Sequence, residues 1–273
     1  MRSWVLVVGS LSLLVGANRG LAAEVDEERW VDDRVPASPG PGVSPSLSKT
    51  VDASYVGNFL PFGQPAHMNA LGYVASTGGY DSARSKGLFD TNLEARILGP
   101  IALRLGSSYA PDTQKMRPSV GLRVGLLDAA KHGVDLSAGV LYRPEGFTET
   151  EGEIEGTVAL GVRLHEFMLL GNLVYGQDPE GHERDGELCV AVLHRLGTRV
   201  VVGLDSRARL NLASSGGGPN GEARFDAVAG PAASIAIGPL GILLNGGGTV
   251  VQVAASTPVR YGAYVMGGLG LGL

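Results

Sequence analysis

From about residue 70 to the end of the chain, apolar and polar residues alternate. In ILGPIALRLGSSYAP, residues 97–111, Ile101, Leu103 and Leu105 fall on one face. Ala102, Arg104, Gly106 and Ser108 fall on the other, the period of a strand with one dry and one polar side. The same reading, carried along the chain, predicts about twelve strands, near 70–77, 88–98, 101–110, 117–127, 134–143, 153–164, 167–176, 186–196, 199–210, 223–237, 240–252 and 259–272.

The connections alternate in length. Tight turns at 98–100, 165–166, 197–198 and 238–239, with a longer one at 127–133, are interleaved with the polar links GGYDSARSKG, PDTQKM, PEGFTETEG, QDPEGHERD, NLASSGGGPNG and AASTP. One end of the sheet is therefore trimmed and the other carries loops, as in barrels of the outer membrane. An even strand number puts both ends of the sheet on the short-turn side.

A soluble sandwich or barrel would show the same alternation with its apolar face inward. The aromatics discriminate. Tyr109, Tyr142 and Tyr175, spaced 33 residues apart, each close an outgoing strand on the apolar face, and Phe89, Phe225 and Tyr261 open returning strands at the same level. That is the arrangement of an aromatic girdle at a membrane surface, although a row of tyrosines at the rim of a soluble core would look alike.

The polar face carries Arg96, Arg104, Arg123, Arg163, Arg207, Arg209 and Arg224, with Glu94, Asp135, Glu155, Glu187, Asp205 and Asp226 among them. All four lysines, Lys49, Lys86, Lys115 and Lys131, fall outside the strands as drawn. An enclosed lumen favours Arg, whose planar fork holds several carboxylates at once.

Composition narrows the class. The 273 residues include 42 Gly and 6% aromatics, which disfavours a helical core. Arg2, the apolar run WVLVVGSLSLLVG and the small residues up to Ala23 read as a secretory signal, 1–23. Residues 24–48 read as an acidic, Pro-rich flexible leader, and 49–69 as an unassigned segment, either a plug or an extra strand, ahead of a barrel at 70–273. Losing Arg2 and Arg19 with the signal would take the formal charge from −5 to −7, which disfavours nucleic acid. Cys189 is the single cysteine, so no intramolecular disulfide forms.

The final strand, RYGAYVMGGLGLGL, sets Val265, Leu269, Leu271 and Leu273 on one face up to the last residue. It resembles the C-terminal strand of bacterial outer-membrane β-barrel proteins, with Leu273 in place of the usual aromatic. The resemblance implies an all-β, transmembrane, antiparallel up-and-down β-barrel of about twelve strands. It also implies outer-membrane lipids, lipopolysaccharide and the barrel-assembly machinery as partners.

Candidate chemistry is sparse. No His-x-Ser pair of a barrel lipase occurs, and His165-Glu166 has Leu169 where a metalloprotease motif needs its second His. SSGGGPNG lacks the Gly-Lys-Ser/Thr ending of a phosphate loop. The loop QDPEGHERDGE gathers Asp178, Glu180, Glu183 and Asp185 around His182, a set of oxygens suited to calcium or magnesium and, more remotely, to a barrel-mouth hydrolase. The leading expectation is a non-enzymatic narrow channel or solute-uptake barrel lined by Arg96, Arg104, Arg123, Arg163, Arg207 and Arg209 with Glu94, Asp135, Glu155 and Asp205. The alternative is a closed structural or adhesive barrel whose acidic outer loops bind a partner or divalent cations.

Overall fold

The computed structural model describes residues 71–111, 114–144, 152–179, 184–197, 199–213 and 223–272. The expected signal, leader and 49–69 segment lie outside them, as do Glu180, His182 and Glu183.

Twelve strands follow one another: β1 (Gly72–Asp81), β2 (Lys86–Leu98), β3 (Ile101–Ala110), β4 (Lys115–Leu127), β5 (Val134–Pro144), β6 (Gly152–Leu164), β7 (Phe167–Gln177), β8 (Arg184–Leu196), β9 (Val200–Asn211), β10 (Phe225–Ile237), β11 (Leu240–Gln252) and β12 (Arg260–Gly272). Each pairs antiparallel with its sequence neighbour, and β1 pairs with β12 from Tyr73↔Gly272 to Asp81↔Tyr264. The sheet is thus a closed up-and-down barrel with no free edge. With strands about 4.8 Å apart and tilted about 40°, twelve of them enclose a backbone radius of about 12 Å.

The orientation of the two faces settles which side is dry. Leu105, Val120, Leu122, Val140, Leu173, Leu204, Leu244 and Val265 all point outward and are exposed, Leu204 to 64%. Inward, Glu94 and Arg123 are each 1% exposed, and Asp135, Asp205 and Asp226 are buried with them. A barrel with its hydrocarbon outside and its charges inside is built for lipid, because a water-exposed apolar belt of this extent has no counterpart on soluble monomers.

Turn chemistry fixes the short end. Gly99, Gly197 and Gly238 take φ of 51°, 73° and 59°, the left-handed region that a two- or three-residue reversal needs and that glycine adopts without strain. His165 does the same at φ 57°, so His165-Glu166 is a turn. The longest connection at this end holds a single helical turn, α1 (Ala129–His132). The Asp128 carboxylate accepts the N–H of Ala130, and Gly133 closes the turn in the left-handed conformation.

Three expectations are corrected. The stretch GGYDSARSKG is mostly strand, because Gly78, Gly79 and Tyr80 are held by ladders on both sides, to β12 and to β2, which override their loop-like composition. Only residues 82–85 connect the two strands. Lys86 and Lys115 open β2 and β4 rather than falling outside the strands, whereas Lys131, in α1, does lie outside them.

Candidate functional site: the lumen

Inward positions alternate along every strand, so each strand contributes every second side chain to one enclosed space. Toward the long-loop end this space opens into a cavity of about 680 Å³. Among the described residues it is lined by nine cations (Arg84, Lys86, Arg104, Lys115, Arg117, Arg143, Arg207, Arg209, Arg260) and seven carboxylates (Asp81, Asp90, Glu153, Glu155, Asp185, Glu187, Asp226). The lining is net positive although the chain as a whole is net negative.

Most of these charges neutralise one another. Arg143 pairs with Glu155 at 2.7 Å, Arg207 with Glu187 at 3.5 Å and with Asp226, Arg84 with Asp226, and Arg209 with Asp185. Deeper in the barrel, Arg123 pairs with Glu94 and donates to the Ser137 hydroxyl at 3.4 Å. Arg163 reaches Asp135 at 3.0 Å, whose other oxygen accepts the Ala129 N–H at 2.8 Å. Asp205 accepts from the Asn245 amide at 3.1 Å.

Arg104 stands apart. Its register partner across β2 and β3 is Glu94, but that carboxylate is taken by Arg123 from β4. Arg104 keeps hydrogen bonds to Asn92 Oδ1 at 3.4 Å and to the Tyr73 hydroxyl, lies near the Asp90 carboxyl, and faces the cavity. Above it on β4, Arg117 and Lys115 line the same wall, and Arg260 faces them from β12; none of the four has an ion pair to a described carboxylate. The consequence is a short ladder of cations, running from the mouth into the barrel, that form no ion pair with a described carboxylate.

Of the expected pore-lining residues, Arg104, Arg207, Arg209 and Glu155 line this cavity. Arg123, Glu94, Asp135 and Asp205 sit below it, buried and paired, and Arg163 joins them through Asp135. Arg96 lies on the inward face but near the short-turn end, and is exposed. Lys115, Arg117, Arg143 and Arg260 were missed although the parity was legible: Arg117 is six residues before Arg123, and Arg143 eight after Asp135, on the same faces.

The inward face is not polar throughout, as the alternation had suggested. On β7–β11, in the short-turn half, it carries Met168, Leu170, Cys189, Ala191, Leu193, Val201, Ala232 and Leu243, all buried. The opposite wall at this depth holds Glu94, Arg123, Asp135 and Ser137.

At the long-loop end, Phe89, Tyr109, Tyr175 and Tyr261 are exposed on the outer face, with Tyr142 and Phe225 half-buried beside them. Tyr80 joins them, paired with Gly87 and Val265, and was missed because β1 had been ended too early. At the other end Phe167 meets His194, ring centroids 4.6 Å apart, so this histidine packs on the outer face and serves no lumenal chemistry. Asp178 and Asp185 flank the loop whose other acids lie outside the described residues. Among the described residues no three metal-ligating side chains converge.

Apolar outside, charged inside and closed by twelve antiparallel strands, the chain is in class an outer-membrane β-barrel. No family model matches its sequence, and no curated protein matches it. Solved structures similar to it include the NanC porin, 9% identical with a TM-score of 0.54, covering 73% of this chain and 100% of that one. The KdgM porin, in one case in complex with disordered oligogalacturonate, is 8% identical with a TM-score of 0.50, covering 74% and 99%. At such identities the likeness is one of fold.

Proposed function

We propose that the protein is a narrow channel for solute uptake whose outer vestibule favours anions. The observation that carries this reading is the ladder of Lys115, Arg117 and Arg104, cations that line the cavity without an ion pair to a carboxylate among the described residues. An unpaired guanidinium in an enclosed space raises the local concentration of anions, and its planar fork suits carboxylates and phosphates. The oligogalacturonate named with one of the similar porins is a polyanion of the kind such a ladder would draw.

The test is reversal potential in planar bilayers. Arg104→Gln combined with Arg117→Gln should lower the anion-to-cation permeability ratio severalfold, since one charge about 7 Å from an ion is worth about 0.6 kcal/mol even in bulk water, roughly threefold. A folded barrel that conducts nothing would refute the channel. That result would favour a closed barrel locked by the Arg123–Glu94 and Arg163–Asp135 pairs, with its outer loops free to bind a partner.

A further inference from the structure

The connection between β1 and β2, residues 82–85, folds into the mouth of the lumen instead of rising from it. Asp81 turns the chain: its Oδ1 accepts the N–H of Ala83 at 2.9 Å and of Arg84 at 3.4 Å, and its Oδ2 accepts the Thr249 hydroxyl of β11 at 3.1 Å. Ser82 is tied to β12, its N–H donating to the Ala263 carbonyl at 2.9 Å and its hydroxyl accepting the Ala263 N–H at 2.8 Å. Ala83 is thereby buried against Gly262, where a Cβ would fall 2.6 Å from the Ala83 nitrogen. Only glycine leaves room for the strap at that point.

Arg84 completes the fold-over. Its guanidinium pairs with Asp226 on β10, and β10 lies three strand spacings from β1, about 14 Å around the wall. An arginine side chain cannot span that gap alone, so the strap itself leans past β12 and β11 to bring Arg84 there. Asp226 is buried and also holds Arg207, which continues to Glu187, so a chain of ion pairs runs from the strap through β10 and β9 to β8. Ala83 and the half-buried Arg84 both line the cavity. We propose that residues 82–85 are the constriction of the vestibule, and that Arg84, held across the mouth by Asp226, sets the size of solute that passes. This rests on the channel reading and adds a size limit to it.

Two substitutions release the strap in different ways. Arg84→Gln removes its latch, and Gly262→Ala fills its seat without touching a charge. Accessibility is read at A83C, with Cys189, the only native thiol, replaced by Ala. The full-length protein is refolded into liposomes, its folding checked by the heat-dependent gel shift, and treated with a water-soluble maleimide. Labelling should be about tenfold faster with either substitution than without, because local opening then gives up fewer contacts. Equal rates in all three, fast or slow, would overturn the proposal. Passage is read without the cysteine changes, by liposome swelling in neutral mono-, di- and trisaccharides, which respond to size and not to charge. R84Q and G262A should each raise the trisaccharide rate roughly twofold relative to the monosaccharide rate. Sugars passing at the native rates in both variants would refute the constriction and leave the channel standing. Sugars passing in none of the three would refute the channel, and the constriction with it.

Discussion

Arg123→Met separates two arginines that look equivalent in sequence. The substitution removes the ion pair to Glu94 and the hydrogen bond to Ser137, both in a site almost closed to solvent. Glu94 would remain as a buried carboxylate, with one oxygen already unpartnered. Removing one member of such a pair costs about 3–5 kcal/mol, because the residual charge keeps its desolvation penalty and loses its counterion. Arg104, directly across the ladder from Glu94, can turn to it and hold the loss near the lower figure. Arg104→Gln alone should cost about 1–2 kcal/mol, since its hydrogen bond to Asn92 is long and the loss falls mainly on the buried Tyr73 hydroxyl. The order of stability is therefore native, R104Q, R123M, then R104Q/R123M, and E94M/R123M should recover most of the loss because the lone charge is gone. Urea titration in liposomes, read by the heat-dependent gel shift, measures this. Trp4 and Trp30 precede the strands, so tryptophan fluorescence would not report on them. If R123M cost less than about 1 kcal/mol, or R104Q cost as much as R123M, the assignment of one arginine to structure and the other to the cavity would be wrong.

Leu204→Arg, at an exposed mid-strand position, should destabilise by about 2–4 kcal/mol in bilayers, whereas on a water-exposed face it would change stability by less than about 0.5 kcal/mol. Gly230 and Gly247 face each other where β10 and β11 approach, a Cβ on either falling 2.6 Å from the other's Cα. Gly230→Ala should accordingly cost about 1–3 kcal/mol in the same titration. In the turn between β6 and β7, the Arg195 guanidinium donates to Glu166 at 3.0 Å and holds its carboxyl below the usual range. A depressed folded-state value means the contribution is present above the unfolded value and lost as pH falls through the folded one. Arg195→Gln should raise the Glu166 titration midpoint followed by NMR; an unchanged midpoint would refute the pairing.

The strands were legible because period-two alternation survives wherever one face meets lipid and the other does not. Val134 to Leu164 illustrates this, with two strands found to within a residue at each end. β1 was cut short because Gly78 and Gly79 carry no alternation of their own and take their conformation from two neighbours. The charged face was legible, but its pairing was not. Glu94 and Arg123 lie 29 positions apart on strands separated by β3, and Asp135 and Arg163 lie 28 apart. Which of two cations takes Glu94 depends on stagger and reach, and that decides which arginine is left to the cavity. The apolar inner sector was hidden by the assumption that every inward residue would be polar.

The closure of the sheet bears on how it forms. Eleven of the twelve pairings join strands consecutive in sequence, each reachable by a local hairpin, while the twelfth joins Tyr73 to Gly272 across nearly the whole barrel. Ring closure over that separation carries the largest chain-entropy cost and comes last. Its two strands meet along Gly78↔Gly267, Thr77↔Gly268 and Ala75↔Gly270, where few side chains can interlock. Backbone hydrogen bonds must do most of the holding there. The barrel therefore has a seam, a single line along its wall where assembly finishes and where separation under load would begin.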